Sequence, residues 1–454
     1  MKHLSKYLLI AFLCLVASQN RIFSQTYLVD TIQYQGDVDY PINLVILGDG
    51  FLVSELPVFR DSAESYINLL FTVDPFSRFK SFFNAFSISV PSNEQGAAMH
   101  PDTLIDNYFG STFNYAGIER LLVPTNNTRI TNVLANNFPE YDQVFMLVNS
   151  TKYGGSGGWV ATASLHEDSK EILLHELGHS FANLADEYWA GIQYAREAIN
   201  MTQETDLEKL RWRNWYGDNN IGLYSHAEST SWYRPHQNCI MRYLGEPFCA
   251  VCREGLIESI YALASPFKGY EPGITTFHMS SDSVLFKVEL THPEPTSLVR
   301  VWYLNDEMIG ENVDSITVRF TELKDGRNKV IASVTDTSSW IRPYEDETYH
   351  KTEVEWVVYT WGVGSEQQIK IFNHSAISIY PNPVYDYLNV KILGEQIGEV
   401  FIELYDSQGR QIKNSIIQYP GRHSLEMSNL EAGLYMIRIS MDGNYLSSRI
   451  IIKH

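Results

Sequence analysis

Two histidines and a glutamate in the run His175-Glu176-Leu177-Gly178-His179 are the residues best placed to do chemistry. Positions four apart share one face of a helix, so both imidazoles can reach one metal ion while Glu176 stands beside them. A catalytic zinc uses three protein ligands, with nitrogen at about 2.0–2.1 Å, and leaves one position for water. The bound water has a pKa of about 7, and a carboxylate within hydrogen-bond reach can take its proton. The spacing therefore predicts a zinc hydrolase site with Glu176 as general base.

A helix must hold these three residues, and the flanking sequence predicts one. Asp168 or Ser169 can cap its first turn. Apolar side chains recur at a helical period and give the helix a face to bury, namely Ile172, Leu174, Leu177 and Phe181. The alternative interpretation, two histidines that bind no metal, is disfavoured because further candidate ligands follow the helix.

The third metal ligand is predicted to be an acid just beyond the helix. The helix should end around Asn183, after which the chain can turn back and offer the carboxylate of Asp186, eleven residues after His175. Glu187 is adjacent and chemically equivalent, so it remains the alternative. The acid that does not bind metal could instead accept a hydrogen bond from a ligating histidine.

The glycine-rich segment 153–163 precedes the predicted helix. Its glycines allow close approach of another backbone, and the residues after them can form a strand. We expect this segment to be the sheet edge that pairs with an extended peptide substrate, although a flexible surface loop is the alternative.

The segment 175–188 is part of a wider resemblance. It occurs with Leu-Gly-Asp-Gly-Phe at 47–51, Cys-Ile-Met at 239–241 and Phe-Cys-Ala-Val-Cys at 248–252. This combination, over roughly residues 26–265, resembles the immunoglobulin A peptidase family of secreted bacterial zinc metallopeptidases. The resemblance implies a zincin-type endopeptidase with His175, His179 and an acid as zinc ligands and Glu176 as base. It does not establish that immunoglobulin is the substrate.

A second, local resemblance concerns Met241-Arg242-Tyr243, which is similar to the Met-turn of metzincins. It implies that Met241 forms the floor of the metal site and that Tyr243 stabilises the oxyanion of the transition state. The chain departs from the metzincin pattern at Ala182, where a glycine is expected, and its acid comes one position later than that pattern's third ligand. Ordinary core packing of Met241 and a tyrosine without a catalytic role remain the alternatives.

The N-terminus predicts secretion. Lys2 and Lys6 precede an apolar run at 8–17 and small or polar residues up to residue 25, which is typical of a signal peptide. With Cys14 removed, three cysteines remain. In an oxidising compartment, Cys239 is expected to pair with Cys249 or Cys252 and leave one odd thiol. A structural zinc is the less favoured alternative, because the sequence shows no obvious fourth ligand.

Composition and charge are those of a globular protein with acidic surfaces. The 34 basic and 54 acidic residues give a net charge of −20, which disfavours nucleic acid as a partner because phosphate binding needs a basic face. Beyond the leader, no stretch is apolar enough to cross a membrane. The 44% apolar composition and the length of 454 residues support several domain cores.

We predict a multidomain fold, with an α/β zincin-like catalytic region followed by two all-β, immunoglobulin-like sandwich domains. Strand-like runs such as 41–47 and 143–148 alternate with helical stretches such as 56–71 and 131–138. From about residue 265, alternating runs with regular turn signals indicate a β-sandwich. The predicted division is a signal peptide at 1–25, an N-terminal α/β region at 26–150, a zinc peptidase catalytic region at 151–265, an immunoglobulin-like β-sandwich at 266–365 and a C-terminal β sorting domain at 374–454.

The final eighty residues resemble the C-terminal sorting domain of the type IX secretion system. The residues that carry the likeness are Ile-Tyr-Pro-Asn-Pro at 379–383, Leu-Tyr-Asp-Ser-Gln-Gly-Arg at 404–410, Leu-Glu-Ala-Gly-Leu-Tyr at 430–435 and the ending 449–454. The resemblance implies the type IX machinery as a partner, with release or attachment at the cell surface.

These observations together predict a secreted zinc-dependent metalloendopeptidase. His175, His179 and Asp186 would hold Zn²⁺, Glu176 would assist attack of zinc-bound water, and Tyr243 would stabilise the oxyanion. The substrate would be an extracellular protein or peptide, with host glycoproteins or immunoglobulins among the candidates. The alternatives are a noncatalytic surface binding or adhesion protein on a peptidase-like scaffold, and a zinc-dependent deacylase, which would need a closed pocket.

Overall fold

The computed structural model describes residues 26–279, 281–342 and 350–360, and most of 377–453 apart from 381, 383, 385, 393–398, 407, 418–420 and 442–443. The predicted signal peptide lies outside the described residues. Strands dominate the described chain, helices are few, and the strands divide among several separate sheets. The prediction of a β-rich chain with several sheets is therefore confirmed.

Most of the early strands form one six-stranded sheet in the order β1-β3-β2-β6-β8-β7, while β4 and β5 form a separate pair. The first eight strands are β1 (Leu28–Gln33), β2 (Ile42–Asp49), β3 (Phe83–Ser89), β4 (Ser111–Thr112), β5 (Val123–Pro124), β6 (Gln143–Val148), β7 (Gly155–Ser156) and β8 (Val160–Ser164). The four central strands are parallel, and β1 and β7 are antiparallel edges. Strands β2 and β6 are buried along their whole lengths because apolar clusters cover both faces of the sheet.

Helices lie on both faces of this sheet. The α-helices are α1 (Leu56–Leu70), α2 (Asn127–Asn137), α3 (Ser169–Ala182) and α4 (Ala250–Leu263). Helices α1, α3 and α4 share an apolar cluster with Ile46 of strand β2. Helix α2 packs in a second cluster with Val45, the residue before Ile46 on the same strand. Successive strand residues point to opposite faces, so one apolar run serves both clusters. Short 3₁₀ turns occur at Val53–Glu55, Lys80–Phe82, Tyr115–Gly117 and Phe320–Glu322.

The long connection between α3 and α4 has little regular structure. Its only strand pair among the described residues is β9 (Tyr224–Ser225) with β10 (Tyr233–Arg234). Trp212 and Trp215 are each only 1% exposed. Both indole rings therefore pack in the core.

Two β-sheets follow α4. Their strands are β11 (Phe267–Glu271), β12 (Thr276–His278), β13 (Ser283–Leu290), β14 (Leu298–Leu304), β15 (Glu307–Glu311), β16 (Ser315–Arg319), β17 (Arg327–Asp336) and β18 (Lys351–Tyr359). The sheet orders are β11-β13-β16 and β12-β18-β17-β14-β15. The rings of Phe286 and Trp356, one from each sheet, lie 5.2 Å apart, so the sheets pack face to face.

This pair of sheets rests on α4. The hydroxyl of Tyr261 on α4 donates to Asp336 Oδ2 at 2.7 Å. Glu254, one turn into the same helix, accepts hydrogen bonds from the Arg342 backbone and the Trp215 indole. The apolar cluster that contains α3 also extends to Trp302 and Trp356. The sheets therefore help to fix the helix whose first turn lies close to the candidate site.

The C-terminal strands form two further sheets around a cluster of their own. Their bounds are β19 (Ile377–Tyr380), β20 (Tyr387–Ile392), β21 (Val400–Asp406), β22 (Gln411–Ile417), β23 (Gly421–Glu426), β24 (Gly433–Met441) and β25 (Asn444–Lys453). The sheet orders are β19-β20-β23 and β22-β21-β24-β25. Among the described residues, no helix is both long and apolar enough to span a membrane.

Candidate metal centre

Helix α3 places His175, Glu176 and His179 beside the sheet. It begins at Ser169 after Asp168, whose side chain makes no capping hydrogen bond, and it ends at Ala182. His175 is buried, whereas the side chain of His179 is 22% exposed. The helix therefore presents one histidine from the core and one nearer to solvent.

A left-handed turn brings Asp186 back to the helix. Asn183 has a φ of 52°, and the backbone N–H of Leu184 donates to Gly178 O at 3.1 Å. Asparagine tolerates this conformation better than most residues, which makes it a suitable helix terminus. The following residues reverse direction, and the Asp186 carboxylate comes to lie against the two imidazoles.

Three ligand atoms then form a small triangle. Nε2 of His175 lies 3.0 Å from Oδ1 of Asp186, and Nε2 of His179 lies 3.2 Å from the same oxygen. The two Nε2 atoms are 3.1 Å apart. Ligand atoms about 2.0–2.1 Å from one tetrahedral ion are roughly 3.3 Å from each other. The triangle is therefore close to the size that a bound zinc ion requires.

The other nitrogen of each ring fixes which lone pairs face the triangle. Nδ1 of His175 donates to Ile240 O at 2.9 Å, and Nδ1 of His179 donates to Leu184 O at 2.7 Å. A carbonyl can only accept, so both Nδ1 atoms carry protons, and each Nε2 offers a lone pair whenever its ring is neutral. Three acceptors that face one point need a cation or a proton between them. The donor set fits zinc.

Electrostatics at the triangle also favour a positive charge. Although burial favours the neutral acid, hydrogen bonds from His175 and His179 hold the pKa of Asp186 well below its usual range. Burial alone would lower the pKa of His179, but its hydrogen bond to Asp186 and the charges of Asp186 and Glu176 together raise it to about 9. A proton is thus held strongly at the place where a divalent cation would lie.

Glu176 lies beside the triangle against a glycine. A Cβ placed on Gly157 would come within 2.4 Å of Glu176 Oε2 and 3.5 Å of the His179 ring. A larger residue at this position would therefore displace the Glu176 carboxylate. Burial raises the pKa of the Glu176 carboxyl, and the nearby imidazoles of His175 and His179 oppose that rise. A carboxylate with a raised pKa is better suited to accept and return a proton.

The glycine-rich segment forms part of the sheet edge. Gly155 and Ser156 make the edge strand β7. The outer side of Gly155 is already paired, because its N–H donates to Arg120 O at 3.2 Å and its carbonyl accepts from Leu122 N at 3.4 Å. Gly157 and Gly158 are exposed. The exposed part of this segment therefore begins beyond β7, next to Glu176.

The segment 239–243 packs against the helix and the turn that carry the candidate metal centre. Met241 is fully buried, and a Cβ on Gly178 would lie 2.6 Å from its sulfur. The carbonyl of Ile240 orients His175, and that of Met241 accepts from Glu187 N at 2.7 Å. These contacts agree with the floor position that the Met-turn resemblance implies for Met241.

The structure separates the two tyrosines near this centre. Tyr243 is half exposed, with its ring 4.5 Å from the Arg242 guanidinium. Within the described chain, no hydrogen bond or ring contact joins it to the histidines or to Asp186. Tyr188, which the sequence interpretation gave no role, stacks on His175 with ring centroids 6.3 Å apart. Its hydroxyl interacts with Arg120, and burial raises its pKa to about 12.

Glu187, the alternative third ligand, lies among the cysteines that were predicted to form a disulfide. Glu187 faces away from the histidines, and its Oε1 lies 3.2 Å from Cys252 Sγ. Cys239, Cys249 and Cys252 are all free thiols, and the sulfurs of Cys239 and Cys252 are 3.7 Å apart. A disulfide needs about 2.05 Å. The expected disulfide is therefore wrong for this structure, because the three thiols surround a carboxylate instead of pairing.

Comparison with protein families bears on the first half of the chain. Residues 31–221 match the family model described as IgA Peptidase M64. The immunoglobulin A peptidase resemblance is thus confirmed for this segment, which includes all the ligand atoms of the triangle. The match ends before residues 239–252, so the Met-turn segment and the three buried cysteines lie outside it.

The end of the chain matches a second family. Residues 378–453 match the secretion system C-terminal sorting domain. The type IX sorting resemblance is confirmed, and this domain indicates secretion or attachment at the cell surface through that machinery.

No curated protein sequence matches the chain. Solved structures give only weak likenesses. Dimeric latent PorU from Porphyromonas gingivalis is 11% identical over 41% of this chain and 20% of its own, with a TM-score of 0.19. A Parabacteroides merdae beta-glucuronidase is 10% identical over 43% and 26%, with a TM-score of 0.16. The chain thus spans about a fifth to a quarter of those two proteins. Fibronectin(III)-like modules of Clostridium thermocellum CbhA are 11% identical over 41% and 93%, with a TM-score of 0.15. These scores are too low to carry an argument.

Proposed function

We propose that the protein is a secreted zinc-dependent metalloendopeptidase. The observation that carries this proposal is the triangle of His175 Nε2, His179 Nε2 and Asp186 Oδ1, with sides of 3.0–3.2 Å and Glu176 beside it. The peptidase-family match over residues 31–221 supports the reaction class. The sorting domain supports an extracellular protein or peptide as substrate.

Each residue of the centre has a proposed task. His175, His179 and Asp186 would hold zinc, which when bound acts as a Lewis acid on the scissile carbonyl and makes water a usable nucleophile at neutral pH. Glu176 accepts the proton of the attacking water and passes it to the leaving amine. Burial raises the pKa of Glu176 and the imidazoles oppose that rise, which suits a group that both accepts and returns a proton.

A tyrosine hydroxyl is proposed to steady the oxyanion. Tyr243 has this role in the Met-turn resemblance, and Tyr188 is the rival because it stacks on His175 and interacts with Arg120. A substrate backbone would lie along the open edge beyond β7, where exposed Gly157 and Gly158 follow Ser156. An open edge suits a long peptide better than the closed pocket that a deacylase needs.

The fold assignment that accompanies this proposal is a zincin-like α/β region at 26–265 and an immunoglobulin-like sandwich at 266–365. Mixed-sheet geometry with an antiparallel edge beside the metal helix supports the first. Face-to-face packing of two antiparallel-rich sheets around Trp302 and Trp356 supports the second.

The decisive experiment compares the purified chain with Glu176→Gln on a denatured protein library, with zinc content measured in both. We expect zinc in both proteins and cleavage by the parent, with activity at least about 10²-fold lower in the variant. Glu167→Gln, an exposed acid just before the same helix, is the matched control and should cleave normally. Cleavage retained by Glu176→Gln would refute its role, and a zinc-free, inactive parent would favour the noncatalytic binding protein.

A further inference from the structure

Four buried side chains form a second cluster of metal-binding atoms behind the candidate metal centre. Glu187, Cys239, Cys249 and Cys252 each offer one ligand atom, and all four atoms lie within 4.8 Å of one another. We refer to these four residues as the thiol cluster. Its residues are all buried, Glu187, Cys239 and Cys252 completely so. The proposed peptidase chemistry uses none of them.

The spacing of the thiol cluster matches a tetrahedral ion. Sulfurs about 2.3 Å from one zinc are roughly 3.8 Å apart, and a sulfur and a carboxylate oxygen are roughly 3.6 Å apart. The Cys239 and Cys252 sulfurs are separated by 3.7 Å. Oε1 of Glu187 lies 3.2 Å from the sulfur of Cys252 and 4.0 Å from that of Cys249. The sulfur–sulfur distance is close to the expected one, and the two sulfur–oxygen distances lie on either side of theirs.

An unpartnered oxygen points to a missing ligand partner. Glu187 is 0% exposed, and its Oε2 has no hydrogen-bond partner within the described chain, while Oε1 accepts only one nitrogen donor, Asn200 Nδ2 at 3.2 Å. The buried guanidinium of Arg234 interacts with Glu187 electrostatically without satisfying that oxygen. Buried carboxylates are normally paired or bind metals, so this arrangement is costly unless something else binds it.

The local sequence suits thiolate ligands. Cys249 immediately precedes helix α4, and Cys252 lies in its first turn, which gives the C-x-x-C spacing common at structural zinc sites. The positive end of a helix stabilises thiolates placed there. The backbone N–H of Cys249 also donates to the sulfur of Cys239, at 3.4 Å, as amides commonly do toward metal-bound sulfur.

We propose that Glu187, Cys239, Cys249 and Cys252 bind a structural Zn²⁺ ion, distinct from the ion of the candidate metal centre. Four protein ligands leave no position for water, which is the property of a structural zinc site. Thiolate ligands select a soft ion over magnesium or calcium. The protons of the three cysteines, and any proton held by Glu187, would be released to solvent as the ion binds.

The proposed ion would join three segments that support the first centre. Glu187 follows Asp186 directly, so its ligation would restrain that carboxylate. Cys239 precedes Ile240, whose carbonyl orients His175. The backbone bond from Glu187 N to Met241 O, 2.7 Å long, links two of the segments already. The function inferred for this ion is to hold the turn that completes the candidate metal centre, and the site exists whether or not the protein is a peptidase.

The test is zinc stoichiometry with zinc-edge X-ray absorption on the full purified chain, handled without chelators. We expect two zinc ions in the parent and sulfur scattering at about 2.3 Å. His179→Ala should leave one ion with a mainly sulfur shell, and Glu187→Gln should lose the sulfur-bound ion while retaining the other. Glu228→Gln, an exposed acid elsewhere in the same connection, is the matched control and should keep both.

The parent alone also decides the question, which matters if a variant does not fold. Thiol counting and intact mass on the denatured, chelated parent, purified without the predicted leader that contains Cys14, should give three free thiols per chain. A mass two hydrogens lower, with one free thiol and no sulfur scattering, would overturn the proposal in favour of the disulfide. Three thiols with no sulfur-bound metal would overturn it in favour of an apolar thiol core. A parent that holds the sulfur-bound ion but cleaves no substrate would count against the peptidase proposal alone.

Discussion

The two clusters on either side of the Asp186–Glu187 peptide use neighbouring acids for different chemistry. Asp186 joins two imidazoles, and its side chain and that of His179 are 21% and 22% exposed. Glu187 joins three thiols and is wholly buried. A site that must admit water and substrate needs an open coordination position, whereas a site that holds the chain together is stronger when closed. Ligand type and burial therefore suit two chemically similar residues, one position apart, to the different tasks proposed for them.

The largest expected effects come from removing one ligand from each cluster in turn. His179→Ala should lower activity by about 10³-fold or more, because it removes a ligand of the proposed catalytic ion, with a small change in unfolding free energy. Cys252→Ser should lower the unfolding free energy by about 3 kcal/mol or more, because a structural metal is lost. Thermal unfolding and cleavage rates of both variants measure the difference. Equal stability losses would remove the distinction between the clusters.

Substitutions of the two tyrosines test which hydroxyl acts at the candidate metal centre. Tyr188→Phe should lower kcat by about 10²-fold if its hydroxyl supports the transition state, since one such donor contributes several kcal/mol. Tyr243→Phe should have a smaller effect, because its half-exposed ring contacts Arg242 instead of the histidines. Both changes remove one hydroxyl, so each controls for the other. A larger loss for Tyr243→Phe would restore the role implied by the Met-turn resemblance.

The sequence could predict the helical part of the candidate metal centre because helix periodicity is local. His175, Glu176 and His179 lie within five residues, and α3 ends one residue before the predicted end at Asn183. Strand β6 coincides with its predicted bounds, and α1 begins at its predicted start and ends one residue before its predicted end. Apolar patterning specifies such elements well because burial of a regular face requires it.

The thiol cluster was not predictable in the same way, because its proposed ligands come from three separate segments. Glu187 is 52 residues from Cys239, and nothing in local periodicity indicates that they meet. Adjacent side chains outside a helix commonly point to opposite sides, which is why Asp186 and Glu187 separate despite equal chemistry. A third cysteine near a C-x-x-C pair, with an acid beside a metal motif, is the signal that could have indicated the fourth ligand.

The Gly157→Ala substitution should have a smaller effect than Tyr188→Phe, confined to the candidate metal centre. Gly157→Ala would place a Cβ within 2.4 Å of Glu176 Oε2, so the carboxylate must shift. We expect activity to fall roughly tenfold, since small displacements of reacting groups are costly, while zinc content and stability stay near those of the parent. Gly269→Ala, where a Cβ meets nothing within 4 Å, is the control. Unchanged activity in Gly157→Ala would show that Glu176 has more space than the glycine suggests.

Asn183 gives the smallest expected effect and tests the link between the clusters. Its φ of 52° is left-handed, so Asn183→Ala should cost about 1 kcal/mol of stability, whereas Asn183→Gly should cost little. Because the turn it permits carries both Asp186 and Glu187, strain there reaches both clusters through one peptide. The ion proposed for the thiol cluster would restrain the Asp186–Glu187 peptide. In that case Asn183→Ala should have near-normal activity while this ion is bound. Once this ion is removed, Asn183→Ala should lose a larger fraction of its activity than the parent does. Equal relative losses in the two proteins would mean that the turn holds Asp186 in place without help from the thiol cluster.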